Sequence, residues 1–138
     1  MKIYIANDHA GYLLKKSLLP FLSQYGAVED LGSDSEQPAD YPLYGQALAH
    51  KIQSQDDRGI LICGSGIGIC IAANRFPHIR AAVCHTPEET ILARQHNNIN
   101  VLCLGARTHD SFESIVDTFF KTKFLEEERH VRRIQELS

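Results

Sequence analysis

Ile60-Leu61-Ile62-Cys63-Gly64-Ser65-Gly66-Ile67-Gly68-Ile69 decides how this chain is read. The apolar run reads as a buried strand. It closes on a cysteine, glycines follow at alternate positions, and a helical pattern begins behind them. Glycine accepts positive φ and lets a ligand lie close to the backbone. Successive N–H groups in such a turn, with a helix N-terminus behind them, form an anion-binding nest, and the same field favours a thiolate at Cys63. One turn therefore offers a base or nucleophile beside an oxyanion hole. The spacing is G-x-G-x-G: Ile69 stands where a dinucleotide fingerprint needs glycine, and the Lys-Ser/Thr of a P-loop is missing.

Outward from this turn, strands and helices alternate along the chain. Residues 2–6 read as a first strand, and Asn7-Asp8-His9-Ala10-Gly11 turns into a helix over about 10–25. Gly26 stops that helix, and Pro20 predicts a kink in it. Residues 28–31 read as a short second strand and 32–39 as a polar loop. Asp40 is placed to cap a helix over about 41–55 with Pro42 in its first turn. The remaining strands are expected at 59–63, 80–84 and 100–104, and the remaining helices at about 67–75, 86–97, 111–121 and 124–137. Thr86-Pro87-Glu88-Glu89 is a helix start with cap, N1 proline and acids in place. The pattern predicts one domain over 1–138, a three-layer α/β/α sandwich around a Rossmann-like, five-stranded parallel sheet. Ligands of such sheets bind beyond the carboxyl ends of the strands.

Composition narrows the function classes. A net charge of -3 gives no basis for binding nucleic acid or an acidic membrane. No apolar run reaches the ~18 residues a membrane helix needs, and Met1-Lys2-Ile3 enters a strand directly rather than a signal peptide. Cys63, Cys70, Cys84 and Cys103 form no CxxC pair and fall in or beside predicted buried elements, as reduced thiols of a cytoplasmic protein do. No zinc motif accompanies them, so no metal is expected.

The strand ends supply the candidate residues. Asp8 and His9 leave the first strand at the carboxyl edge, where Asp8 also serves as a helix N-cap. Arg107 follows the last strand at the same edge. Arg129 and Arg133, four apart on the final helix, suit a phosphate through their guanidinium forks; Glu126 and Glu136 lie three residues away as alternative partners. His96 and Asn97 end a helix and so fall at the opposite, amino edge. Read locally, Asn97 is a left-handed C-cap and His96 favours the helix's negative end. A functional role for this pair would require a second subunit.

Several stretches together resemble the ribose-5-phosphate isomerase B family, which includes galactose-6-phosphate and allose-6-phosphate isomerases. They are Asp8-His9-Ala10-Gly11, Asp40-Tyr41-Pro42, Ile62 to Gly68 with Ala72-Ala73-Asn74-Arg75, Ile79-Arg80-Ala81, Ala93-Arg94-Gln95-His96-Asn97 with Asn100-Val101-Leu102, and Arg129-His130-x-x-Arg133. The resemblance implies a cofactor-free aldose–ketose isomerase of the pentose phosphate pathway, with a sugar phosphate as substrate. It implies Cys63 as the base between C2 and C1 of the sugar, with the amides of Gly64, Ser65, Gly66, Ile67 and Gly68 around the enediolate oxygen. Ser65 would contact the sugar, Asp8 would assist proton movement with Tyr41 nearby, His96 would open the furanose ring, and Asn97 would bind the enediolate or a hydroxyl. His9, Arg107, Arg129 and Arg133 would hold the phosphate. It further implies a homodimer or tetramer with the site at the subunit interface. His85-Thr86-Pro87-Glu88-Glu89-Thr90 and His109 fall outside the pattern. A non-catalytic sugar-phosphate-binding module is the alternative from another class.

Overall fold

The computed structural model describes residues 1–108 and 111–137. Five strands, β1 (Lys2–Asn7), β2 (Ala27–Asp30), β3 (Arg58–Cys63), β4 (Ala81–Val83) and β5 (Val101–Gly105), pair in parallel in the order β2-β1-β3-β5-β4. Among the described residues four α-helices join successive strands, α1 (Tyr12–Leu22), α2 (Tyr41–Lys51), α3 (Ile67–Asn74) and α4 (Pro87–Asn97), and two follow β5, α5 (Phe112–Lys121) and α6 (Glu128–Glu136). The period-2 alternation of each strand divides the core in two. Tyr4, Ala6, Leu61, Cys63, Val101 and Cys103 face α2 and α3, where Leu48, Ile69 and Ala73 meet them. Ile5, Ile60, Ile62, Leu102 and Leu104 face the other way, onto Leu18 and Leu22 of α1 and Ile115, Val116 and Phe119 of α5. The expected three-layer sandwich is the observed one.

Several boundaries differ from the sequence reading, each for a local reason. A 3-10 turn (His9–Gly11) precedes α1, and α1 ends at Leu22 rather than near Tyr25, so Pro20 sits in its last turn. The helix expected to reach residue 55 stops at Lys51, because the Asp57 carboxylate accepts the N–H groups of Gln53 and Ser54 and turns the chain. Asp40 occupies the N-cap of α2 but its carboxylate makes no capping bond; its carbonyl oxygen takes the N–H of Leu43 instead. β4 is three residues long, and the Asn74 amide takes over the next place on its edge, bonding Ala81 N at 2.8 Å and Ala81 O at 2.9 Å. The helix expected from residue 124 begins at Glu128, since the segment before it bonds to α4: Arg94 Nε to Thr122 O and Leu125 N to Gln95 O, both at 3.1 Å. Asn98, not Asn97, is the left-handed C-cap of α4, at φ 45°, leaving Asn97 as the last helical residue.

The strand order places the site. The chain leaves β1 toward β2 on one side and returns to β3 on the other, so β1 and β3 flank the point where the winding reverses. Crevices at the carboxyl ends of such strands are the binding position of parallel sheets. β5 then inserts between β3 and β4 and opposes Gly105 to Cys63.

Candidate active site

Cys63 is the last residue of β3 and is 4% exposed. Its Sγ accepts the N–H of Gly66 at 3.1 Å. Gly66 adopts φ 80°, the left-handed conformation that lets the turn fold its N–H back onto the sulfur. Ser65 Oγ accepts the N–H of Ile67 at 3.1 Å. Two amides of the nest are therefore engaged internally, by the thiol and by the serine. α3 starts at Ile67 behind Gly66, which has no side chain to cap it, so apart from the Ser65 bond the positive end of the helix is left open at the same place.

The end of β5 is fastened to this turn. Ala106 N bonds Cys63 O at 2.9 Å and Arg107 N bonds Gly64 O at 3.0 Å. These bonds lay the Arg107 side chain over Gly64, where its NH1 is 3.1 Å from the position a Cβ would take. Thr108 Oγ1 donates to Gly105 O at 2.8 Å.

From β1, Asp8 is 6% exposed, and its Oδ1 accepts the N–H groups of Ala10 at 3.0 Å and Gly11 at 3.3 Å. The cap and the site candidate are thus the same carboxylate, and Oδ2 keeps no protein partner among the described residues. His9 Nδ1 accepts the backbone N–H of Ala39 at 3.1 Å. The carbonyl oxygen of the same residue also lies within hydrogen-bonding distance of Nδ1, at 3.3 Å, so Ala39 can accept from this nitrogen as well as donate to it, and it holds the ring in either neutral tautomer. Tyr41 opens α2 and lays its ring on Gly68: a Cβ there would meet Cζ at 2.6 Å and Cε1 at 2.7 Å.

These groups bound a cleft of about 420 Å³. Asp8, Tyr41, Cys63, Gly64, Ser65 and Gly68 line it, together with Arg107 and Thr108. Sequence reasoning missed Thr108; its signal was a hydroxyl next to Arg107 at a strand's carboxyl end. His9 adjoins this cleft through Asp8. His85 is not among the lining residues and stands beside Glu89, Nδ1 to Oε2 at 3.6 Å. His109 lies outside the described residues.

The remaining candidates gather elsewhere. The His96 ring stacks on His130 of α6 with centroids 4.5 Å apart and planes 14° from parallel. Asn97 borders a separate hollow of about 600 Å³ with Arg80 and Ile134. Arg129 pairs with Glu127 and Arg132 with Glu128, so neither Glu126 nor Glu136 is the arginine partner. Arg133 has no acidic partner among the described residues. Burial and the charge of Arg129 hold His130 below the ordinary histidine pKa. Within one chain, then, His96, Asn97, Arg129 and Arg133 form a second set, joined by α4 and α6 and absent from the Cys63 cleft. The other thiols belong to the core: burial raises Cys84 to about 11 and Cys103 well above its usual value.

Among the described residues no helix is long and apolar enough to cross a membrane. The ribose/galactose isomerase family model matches residues 3–137. The chain is 40% identical to ribose-5-phosphate isomerase B of Escherichia coli, over 99% of this chain and 94% of that protein. Its fold is similar to the solved structure of a ribose 5-phosphate isomerase from Thermotoga maritima, with TM-score 0.92 and 45% identity over 99% and 96% of the two chains. The ribose 5-phosphate isomerase B structure from Anaplasma phagocytophilum gives TM-score 0.94 and 40% identity over the same shares.

Proposed function

The chain belongs to the ribose/galactose isomerase family and is an aldose–ketose isomerase that interconverts ribose 5-phosphate and ribulose 5-phosphate; we propose that Cys63 is its base, in a cleft that a second copy completes. The observation that carries this reading is the contact between Cys63 Sγ and its own glycine turn, which sets a thiol and a helix N-terminus at one point. Acting as a thiolate, Cys63 takes the C2 proton of the open-chain aldose. The C–H electron pair becomes the C1=C2 double bond, and the former carbonyl oxygen takes the negative charge. Backbone donors at the head of α3 hold that oxygen; preorganised donors of this kind commonly contribute a few kcal/mol each. A proton then passes from O2 to O1, assisted by the free oxygen of Asp8, and the thiol returns its proton to C1 to give the ketose. No hydride or external oxidant is needed.

The phosphate supplies remote binding energy that orients C1 and C2. Arg107 and His9 hold it from one subunit, and Arg129 and Arg133 from the other. His96 and Asn97 come with those arginines, for ring opening and for the enediolate or a hydroxyl. Two features support a shared site. His96 and Arg129 belong to elements that pack on each other away from the cleft. Ile67 and Ile71 of α3, beside the cleft, are 57% and 60% exposed, and Leu92 of α4 is 52% exposed, an apolar surface that a second subunit would cover. The homodimer is the minimal assembly this requires, and the cytoplasm the compartment that suits its reduced thiols.

The test is complementation. Cys63→Ala and His96→Ala each lack turnover on ribose 5-phosphate when alone. After subunit exchange, half of the dimers are hybrids with one intact site of two, so the mixture recovers about a quarter of the parent activity. No recovery after verified exchange refutes the shared site. Retained turnover in Cys63→Ala refutes the base. Allose and galactose 6-phosphates in the same assay read the substrate preference.

A further inference from the structure

Lys15 lies on α1, outside the cleft, yet its side chain is only 1% exposed. Burying an ammonium group costs several kcal/mol unless its donors are met. Here they are met. Nζ donates to Asp30 Oδ1 at 3.1 Å and to the carbonyl oxygen of Ser33, and it stands over the Tyr12 ring, 5.3 Å from the centroid. Asp30 Oδ1 also accepts the N–H of Gly32 at 2.9 Å. The buried cation thus grips the first residues of the connection between β2 and α2.

That connection runs along the site. Its root extends the sheet pairing: Leu31 N bonds Ile5 O, Asn7 N bonds Gly32 O and Ser33 N bonds Asn7 O, at 2.8 to 3.0 Å. Asn7, fully buried, gives its amide protons to Asp8 O at 2.8 Å and Ser33 Oγ at 3.3 Å. The far end of the connection presents Ala39 N to His9 Nδ1 and then enters α2 at Tyr41. The same short segment therefore bonds the backbone and side chain of Asn7, next to Asp8, holds the His9 ring at Nδ1 and leads into Tyr41.

We propose that Lys15 is a positioning residue of this isomerase: by clamping Ser33 and Asp30 it holds the 31–40 connection so that Ala39 keeps its bond to the His9 ring and Tyr41 stays on Gly68. The proposal rests on the reading of His9 and Tyr41 as substrate-binding groups. Lys15→Met keeps the apolar stem and removes the ammonium. Released at Ser33, the connection gains freedom, Ala39 leaves the ring, and His9 Nδ1 loses its backbone partner.

The experiment uses full-length protein labelled with ¹⁵N-histidine, with His9 assigned from His9→Gln. In the parent, the His9 Nδ1 resonance is that of a ring nitrogen hydrogen-bonded to Ala39. In Lys15→Met the Nδ1 resonance shifts, and kcat/KM falls by about ten- to a hundredfold at a temperature where the variant is folded, the size expected for a misplaced binding group. If Lys15→Met does not fold, Asp30→Asn, which removes only the partner charge, is read in the same way with a smaller change of the same sign. Unchanged ring resonances overturn the proposal, whatever happens to the rate, because a merely structural lysine would lower activity without releasing the His9 ring from Ala39. Changed resonances with unchanged kcat/KM overturn it as well. A parent with no turnover on ribose 5-phosphate would instead sink the isomerase reading, while the His9 resonances would still decide whether the clamp exists.

Discussion

Gly68→Ala separates fold from function with one methyl group. Gly68 lies in the first turn of α3, where alanine is the better helix former by up to about 1 kcal/mol. The added Cβ would stand 2.6, 2.7 and 3.1 Å from Cζ, Cε1 and Cε2 of Tyr41. Carbon atoms rest at about 3.5–4.0 Å, so the ring must retreat by roughly 1 Å. Tyr41 is 41% exposed, and the crowded atoms are at the far end of its side chain, so the retreat leads into open space and spares the core. Stability is therefore unchanged or higher, by up to about 1 kcal/mol, or about 2–4 °C in melting midpoint for a chain of this size. The ring, however, lines the cleft beside Cys63. A displacement of ~1 Å at a substrate-positioning group costs up to about a hundredfold in rate. The expected variant is at least as stable as the parent and on the order of ten- to a hundredfold lower in kcat/KM for ribose 5-phosphate. The assay pairs thermal unfolding with isomerisation kinetics at one pH. Activity within twofold of the parent would refute the role given to Tyr41. A loss of more than about 2 kcal/mol in stability would show that the ring cannot yield and that this face of α3 is packed core.

Two further perturbations address the rest of the molecule. The folded state holds the buried His130 below 6.5, while the unfolded chain takes up its proton at that ordinary value, so its contribution is complete above 6.5 and is lost as pH falls below it; melting midpoints from pH 7.5 to 5.5 should fall less steeply in His130→Gln than in the parent, and parallel slopes would contradict this. Phe119, 1% exposed between α5 and the sheet, should cost about 3–5 kcal/mol when truncated to alanine, read by denaturant unfolding, with kcat/KM of the folded fraction unchanged.

Much of the site was legible in the chain because its parts are local. Asp8 as a cap, Thr86 capping through the N–H of Glu89, and the left-handed glycine after Cys63 each follow from residues three or fewer positions apart. Errors arose where a local rule admitted two answers. Asn97 and Asn98 both tolerate the left-handed conformation, and the bond from Asn98 N to Arg94 O selects the second. Residues 122–127 have an acceptable helical composition, but hydrogen bonds to α4 draw the chain out of a helix there.

By itself the sequence determined the alternation of strands and helices, the parallel sheet that this alternation requires, and the chemistry at each strand end, since periodicity and capping act over a few residues. Only the tertiary structure decided which ends meet. Insertion of β5 between β3 and β4 opposes Cys63 to Gly105 and so brings Arg107 and Thr108 beside the thiol; the packing of α6 on α4 puts His130 against His96 and keeps Arg129 away from it. The physical reason is that strand order and helix docking are set by which crossovers bury the most apolar surface together, a property of contacts between distant segments on which local propensity is silent.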